Sequence, residues 1–140
     1  MAELGLVANV IAVVDLSAKI ASSCYQYSRD VKDVKADIER FQREIERVSK
    51  LLRHVQALVE GADKTSLLTS EQLKNALAEC KMELQQLNAL LDPRKGRTVM
   101  RKFGLRALKW PFKSREVDKA ITSLVCSRAT ISDALQVDQT

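Results

Sequence analysis

The chain has 140 residues, of which 23 are lysine or arginine and 18 are aspartate or glutamate, so its formal net charge is +5. Its length fits one domain and excludes two ordinary ones, and its scarcity of glycine and proline favours helix nearly throughout. The three cysteines, Cys24, Cys80 and Cys126, are isolated, which argues against a disulfide framework or a zinc site and favours a reducing cytosol.

The first predicted element is the apolar helix "LGLVANVIAVVDLSAKIASSCYQY", residues 4–27, whose two charges are Asp15 and Lys19. It lacks the basic leader of a secretory signal, and Asp15 closes its apolar run after eleven residues. In a permanent membrane span, each charge near the middle would cost about 2.5 to 3.5 kcal/mol. Because Asp15 and Lys19 have i,i+4 spacing, they can pair and reduce that cost.

On a helical projection this segment has two faces. Aliphatic side chains cover about half of the circumference, and small and polar residues form a strip opposite them. The strip consists of Gly5, Ala8, Asn9, Ala12, Asp15, Lys19, Ser22 and Ser23. The pattern favours a helix whose apolar half packs in a core. The alternative is a helix that can leave the core for lipid, where a small-residue strip lets copies approach closely.

Two further helices are predicted from apolar seams with alternating spacings of three and four. The first seam consists of Val31, Val34, Ile38, Phe41, Ile45, Val48, Leu52 and Val55, and Gly61 predicts the C-terminal cap of its helix. The second consists of Leu73, Leu77, Cys80, Leu84, Leu87 and Leu91, preceded by a predicted capping box of Thr69 and Gln72. A cysteine on such a seam is expected to be buried and inert.

No pattern in the chain predicts catalysis. The single histidine, His54, lies beside the apolar seam in the middle of a long helix and is predicted to be on the helix surface. The sequence has no glycine elbow, metal-ligand spacing or phosphate-binding loop. We therefore expect a protein that is not an enzyme and that binds no cofactor or metal.

The positive charge is concentrated between Pro93 and Arg115, where nine lysines and arginines occur without an acidic residue. Aromatic and aliphatic residues alternate with these cations, a pattern typical of a segment that lies on an anionic membrane. The candidate lipid-contact patch consists of Arg94, Lys95, Arg97, Arg101, Lys102, Arg106, Lys109, Trp110 and Lys113. The alternative is a solvated connector that Trp110 and Phe112 anchor to the bundle. Nucleic acid is not favoured, since no recognised binding motif accompanies the charge.

A last helix is predicted to start with Ser114 as its N-cap, and Arg128 interrupts its apolar seam. The predicted fold is all-α: an up-and-down four-helix bundle with helices near 2–27, 29–60, 70–92 and 114–137 and a shorter helix near 98–109. We expect one helical domain over residues 1–140, forming the N-terminal part of a longer protein. The residues predicted to be buried together are Leu6, Val10, Val13, Ile38, Phe41, Ile45, Leu77, Leu84, Ile121 and Leu124.

The apolar first helix running into "ASSCYQY", the long charged helix and above all "LKWPFKSREV", Leu108 to Val117, resemble the HeLo-like N-terminal domains of fungal STAND receptors of the NLR type. Such domains are similar to the four-helix bundle of the necroptosis pseudokinase. The resemblance implies a cell-death effector of fungal innate immunity and heterokaryon incompatibility whose first helix enters the membrane after oligomerisation. The membrane-inserting residues it implies here are Leu4, Leu6, Val7, Val10, Ile11, Val13, Val14, Leu16 and Ile20.

The partners implied by this resemblance are anionic membrane lipids, further copies of the chain, and a C-terminal sensor or nucleotide-binding module. The implied location is the cytoplasm at rest and the plasma membrane after activation. A second function class stays open: a helical adaptor that binds protein partners in signalling and never enters lipid.

Overall fold

A computed structural model describes residues 2–31, 33–61, 71–92 and 110–139 of the chain. The described residues form four helices and no strand: α1 Ala2–Asp30, α2 Lys35–Val59, α3 Glu71–Leu91 and α4 Ser114–Gln139. The predicted all-α four-helix bundle is thereby confirmed. The short helix predicted near 98–109 and the capping box of Thr69 and Gln72 include residues outside the described ranges.

The buried seams form one core that runs between the four helices. Of the ten residues predicted to be buried together, nine are buried, and Ile121 packs against the core while partly exposed. The whole α3 seam is buried, including Cys80, and so are the α2 seam residues from Ile38 to Val55. The spacing of apolar residues therefore specifies which side of α2 and of α3 faces inward.

The turn between α1 and α2 lies later in the chain than predicted. A backbone hydrogen bond from Val31 N–H to the Tyr27 carbonyl, 2.8 Å, closes α1, and one from Ile38 N–H to the Val34 carbonyl, 3.0 Å, opens α2. Val31 and Val34 therefore belong to the turn and not to the α2 seam, although both pack against the core. The turn contains no glycine or proline, so the sequence offers no residue type that marks it.

Each helix packs against two neighbours and lies diagonally across from the third. The first helix packs on α2 and α3, and α4 packs on the same two helices. Ser114 at the start of α4 bonds Asp37 at the start of α2, so these two helices run in the same direction. The turn at 31–34 reverses α1 relative to α2. Asn9 and Tyr27 of α1 interact with Lys81 and Asp92 in the α3 region, in the same order, so α1 and α3 are parallel. The four helices thus alternate in direction along the chain, as predicted, but the consecutive helices α2 and α3 lie on a diagonal of the bundle.

The N-terminus of α4 is capped one residue earlier than predicted. The N–H of Lys113 donates to a Glu116 carboxylate oxygen at 3.0 Å, and the Lys113 carbonyl accepts from Val117 N–H at 3.0 Å. Lys113 is therefore the N-cap residue. The side-chain hydrogen bond at this cap is made by the Glu116 carboxylate, not by the Lys113 side chain. The Ser114 hydroxyl is free to donate to Asp37 of α2, and together with Arg40 this bond holds the pKa of the Asp37 carboxyl below its usual value.

An ion pair with a buried carboxylate and a partly exposed arginine joins α2 to the middle of α4. The Glu44 side chain is 1% exposed, and the Arg128 Nη2 donates to its Oε1 at 2.9 Å. The Arg128 Nε also lies 2.9 Å from Oε2, without the alignment of a hydrogen bond. Arg128 interrupts the α4 seam because its partner is a carboxylate inside the bundle.

Candidate membrane-active helix

One side of α1 lies in the core of the bundle. Its buried residues recur at helical spacing and include four of the predicted membrane-inserting residues, Leu6, Val10, Val13 and Ile20. Val7, Val14 and Leu16 are partly buried against the same core, whereas Ile11 is 48% exposed. The side chain of Leu4 lies outside the described part. In this structure the apolar side of α1 is therefore used for packing against α2 and α3.

The small polar strip of α1 faces away from the core. Gly5, Ala8, Asp15 and Lys19 are exposed, while Asn9 and Ala12 are partly buried. A Cβ atom built on Gly5 would meet nothing within 4 Å, which shows open space beside the helix there. The strip is shorter than predicted at its C-terminal end, because Ser22 is exposed but Ser23 is buried.

The two charges within α1 form the predicted pair. Lys19 Nζ lies 3.2 Å from an Asp15 carboxylate oxygen, and both side chains are more than half exposed. An exposed pair of this kind adds little to the stability of the bundle. Its consequence is that α1 carries no unpaired charge along its middle turns.

The first helix is long and apolar enough to cross a membrane. The stretch that meets this test is Gly5–Asp30, and 28% of its 18-residue apolar window is buried. A helix of 29 residues is about 43 Å long, and about 20 residues suffice for the hydrocarbon core of a bilayer. The core helix of a soluble protein and a signal sequence near the N-terminus pass the same test, so length and apolar composition alone do not assign α1 to a membrane.

Polar contacts between helices are distributed unevenly over the bundle. Within the described ranges, one side-chain hydrogen bond joins α1 to another helix, from Lys81 Nζ on α3 to Asn9 Oδ1, 3.3 Å. The last helix is joined to α2 and α3 by four separate pairs. These pairs are Ser114 with Asp37, Asp118 with Arg40, Ser127 with Glu83, and Arg128 with Glu44. Thus α1 is held chiefly by apolar contact, and α4 is held by polar contacts as well.

Four aromatic rings form a cluster where α1 ends and α2 and α4 begin. This aromatic cluster consists of Tyr27, Phe41, Trp110 and Phe112. The ring centroids of Tyr27 and Trp110 are 5.2 Å apart at an interplanar angle of 80°, and those of Phe41 and Trp110 are 6.0 Å apart at 75°. Edge-to-face pairs at such distances are favourable. The segment before α4 is therefore anchored to both α1 and α2.

Most of the predicted lipid-contact patch lies outside the described residues, namely Arg94, Lys95, Arg97, Arg101, Lys102, Arg106 and Lys109. Lys113 is described and exposed. Trp110 is 6% exposed and lies in the aromatic cluster, so in this structure it is a core residue and not part of a surface patch. The position of Trp110 and Phe112 agrees with the alternative of a connector anchored to the bundle.

The thiols of α1 and α3 are protected. Cys24 and Cys80 have no exposed surface, and burial is the main cause that raises the pKa of each to about 12. Cys126 on α4 is exposed, and so is His54 on α2. Within the described ranges, no group of three or more histidines, cysteines or carboxylates is placed to hold a metal ion.

Comparison with known protein families, with curated proteins and with solved structures gives no match. The interpretation of α1 therefore depends on its own geometry.

Two residues that position the helices were not identified from the sequence. Glu44 is not part of the predicted apolar seam of α2, yet it is buried beside Ile45; Arg128 in the α4 seam is the signal that an acidic partner is needed. Tyr27 is buried and packs against Trp110. Its burial raises the pKa of its hydroxyl, and the charge of Asp92 at the end of α3 adds to the shift.

Proposed function

We propose that the protein is a membrane-targeting effector domain of programmed cell death, whose first helix enters and permeabilises a membrane after several copies cluster. The observation that carries the proposal is the way α1 is held: a helix long enough to span a bilayer, joined to the rest of the described bundle by apolar packing and a single side-chain hydrogen bond. Apolar packing is the kind of contact that lipid chains can replace.

The transfer of α1 to lipid requires a place for its polar strip. Leu6, Val10 and Val13 exchange the core of the bundle for hydrocarbon with little change in environment. Asp15 and Lys19 oppose the entry of a single copy, because intramembrane charges are tolerated when they face other helices or a water-filled cavity. When clustered copies face one another along the strip, Asp15 and Lys19 lie against other helices or a water-filled space between them. Clustering is therefore the step that permits entry.

A non-membrane adaptor is the second candidate function. Two large apolar side chains on α3, Met82 and Leu90, are 62% and 59% exposed. They lie eight residues apart and therefore on one side of the helix. Exposed apolar residues at helical spacing favour docking to another protein, which needs no movement of α1.

The two functions separate in an experiment that locks α1 in the bundle. Asn9 and Lys81 are in direct contact across the α1–α3 boundary, so the double variant N9C/K81C can be joined with a cleavable bismaleimide. Cys126→Ser removes the exposed native thiol. The protein is clustered through an inducible dimerisation module fused at its C-terminus and mixed with dye-loaded vesicles of phosphatidylcholine and phosphatidylserine. Dye release is expected to be lost in the locked protein and regained when the linker is cleaved.

A matched control locks helices that are not expected to separate. Arg40 and Asp118 lie 2.9 Å apart across the α2–α4 boundary, and R40C/D118C joined by the same linker leaves α1 unrestrained. This control is expected to release dye like the unlocked protein. Equal release by both locked proteins would contradict the entry of α1, and no release by the clustered, unlocked protein would favour the adaptor.

A further inference from the structure

Trp110 lies at the contact between α1 and the segment that precedes α4. Its ring packs edge to face against Tyr27 in the last turns of α1 and against Phe112, with centroid separations of 5.2 and 5.3 Å. It also packs against Phe41 of α2 at 6.0 Å. Tyr27 is 3% exposed, so Trp110 covers a residue that holds the C-terminal end of α1 in the core.

The indole N–H of Trp110 is buried without a partner. The side chain is 6% exposed, and its Nε1 has no hydrogen-bond acceptor among the described residues. A buried donor left unpaired loses the hydrogen bond that water would supply. Tryptophan is enriched at membrane–water interfaces because the ring packs among lipid chains while the N–H finds acceptors at the headgroups. The interface thus offers Trp110 a bond that the bundle does not.

The sequence brings positive charge to the same residue. Residues 94–109 contain seven lysines and arginines and no acidic residue, and residue 110 follows them directly. Basic segments are attracted to anionic lipid surfaces, each cation adding to the attraction near the surface. A membrane that attracts this basic stretch therefore also comes close to Trp110, which packs against the end of α1.

We propose that Trp110 is a lipid-responsive latch, whose indole leaves Tyr27 for the headgroup region of an anionic membrane and thereby frees the C-terminal end of α1. This inference rests on the proposed function, since it supplies the step that comes before the entry of α1. The ligand class is an anionic lipid surface. In the resting bundle the aromatic cluster keeps α1 in place, and in the bound state the same tryptophan is held by lipid.

Trp110 is the single tryptophan of the chain, so its fluorescence reports this residue alone. The test mixes the protein with vesicles of phosphatidylserine and phosphatidylcholine brominated on its acyl chains, which quench a tryptophan that enters the bilayer. Quenching is expected with these vesicles, and not with vesicles of brominated phosphatidylcholine alone. Protein that sediments with the anionic vesicles while its fluorescence stays unquenched would overturn the proposal.

Two tyrosines of α1 provide a matched pair of variants. Tyr27→Leu removes the ring that packs on Trp110, whereas Tyr25→Leu changes a residue that is 58% exposed and outside the aromatic cluster. We expect Tyr27→Leu to lower the lipid concentration at half-maximal quenching about threefold, the size set by one edge-to-face ring pair. Tyr25→Leu is expected to leave it unchanged. Equal values for the two variants would overturn the coupling between Trp110 and α1.

A second variant applies if Tyr27→Leu does not fold. Trp110→Phe keeps a ring in the aromatic cluster but has no N–H, so it is expected to fold with a Tm close to that of the wild type. The lipid concentration at half-maximal sedimentation should rise about fivefold, because the N–H no longer gains a bond at the interface. An unchanged concentration would overturn the role of the unpaired donor.

Dye release separates this inference from the proposed function. If anionic vesicles quench Trp110 but the clustered protein releases no dye, the latch stands and the permeabilising function is wrong. If dye is released while Trp110 stays unquenched, the function stands and the latch is wrong.

Discussion

Arg128 shows how a single residue can mislead a reading of apolar spacing. An arginine within a seam predicts a break in the buried face of α4, yet Leu124 and Ile131 on either side of it are buried. The structure resolves this by placing Glu44 of α2 opposite Arg128, with an Nη2–Oε1 distance of 2.9 Å. Sequence spacing cannot pair two charges on different helices, since the pairing depends on which helices are neighbours.

The Glu44–Arg128 pair predicts a specific pattern of stabilities. Arg128→Met leaves the Glu44 carboxylate buried and unpaired, which should cost up to about 3 kcal/mol, the low end for buried pairs, because the Arg128 side chain is itself 30% exposed. The double variant E44L/R128M replaces both charges by apolar groups and is expected to recover most of that loss. Urea unfolding of the two variants measures the difference in the free energy of unfolding.

A matched control uses the exposed pair on the same boundary. Asp118→Ala removes the exposed partner of Arg40 and leaves the bond between Arg40 and Asp37, so its effect should be much smaller than that of Arg128→Met. A double variant E44L/R128M as unstable as R128M alone would contradict the account of an uncompensated buried charge.

The buried thiols predict a loss of stability at alkaline pH. In the unfolded chain Cys24 and Cys80 ionise near their ordinary value of 9.0, whereas burial raises the pKa of each in the bundle to about 12. The unfolded state therefore loses protons first, so stability is complete below pH 9 and falls as the pH rises toward 12. At about pH 10 each thiol accounts for about 1.4 kcal/mol of lost stability.

Cys80→Ala tests this pH dependence. The variant loses packing at every pH, but its free energy of unfolding should fall less steeply than that of the wild type between pH 9 and 11. Cys126→Ala, at an exposed position, is the control and should keep the wild-type slope. A Cys80→Ala slope equal to the wild type would show that this thiol does not contribute.

At the scale of the helix, the inward sides of α2 and α3 could be predicted and their ends could not. Apolar spacing specifies a buried side because every residue of a seam contributes to it. The boundaries depend on single hydrogen bonds. Ser114 has the residue type of a cap, but its hydroxyl bonds Asp37 of a neighbouring helix, and Glu116 caps Lys113 instead. A contact with a distant residue decides this end of α4, and the local sequence does not contain it.

The outward strip of α1 predicts a substitution that affects assembly without affecting the fold. Ala8 is exposed, so Ala8→Leu should change the free energy of unfolding by less than about 0.5 kcal/mol. In a membrane the larger side chain would keep neighbouring copies of the helix apart. Dye release by the clustered variant is therefore expected to fall several-fold while its Tm stays at the wild-type value.

Ala18→Leu is the control for that substitution. Ala18 is also exposed but lies outside the strip, about 80° around the helix from Ala8, so the same change in size and hydrophobicity is made beyond the edge of the strip. It is expected to leave dye release unchanged. If the two variants release dye equally, the strip is not where copies of α1 meet.

At the scale of the whole bundle, the proposed departure of α1 would leave the other three helices in contact with one another. It contacts α2 and α3 and lies diagonally across from α4, which is itself bonded to both of those helices. Removal of α1 therefore leaves three helices joined by polar pairs across the α2–α4 and α3–α4 boundaries. The sequence predicted four helices of alternating direction, but the choice of diagonals depends on contacts such as Glu44 with Arg128 and was not predictable from the order of the helices.

The proposed departure of α1 predicts a change in thiol reactivity at Cys80. Cys80 has no exposed surface and lies on the core-facing seam of α3, which packs against α1, so the proposed departure of α1 would uncover part of its surroundings. In the resting protein its thiol is buried and its pKa is raised to about 12, so it should react with N-ethylmaleimide much more slowly than the exposed Cys126. Clustering on anionic vesicles is expected to raise the rate at Cys80 toward that of Cys126, measured by mass spectrometry of the labelled peptides. Clustering without vesicles is the control, in which Cys80 should stay protected. A bundle that acts as an adaptor keeps α1 in place, so Cys80 would then stay protected with vesicles as well. If dye is released while Cys80 stays protected, an intact bundle disturbs the membrane. The leakage is then caused by the exposed surface of the bundle and not by the release of α1.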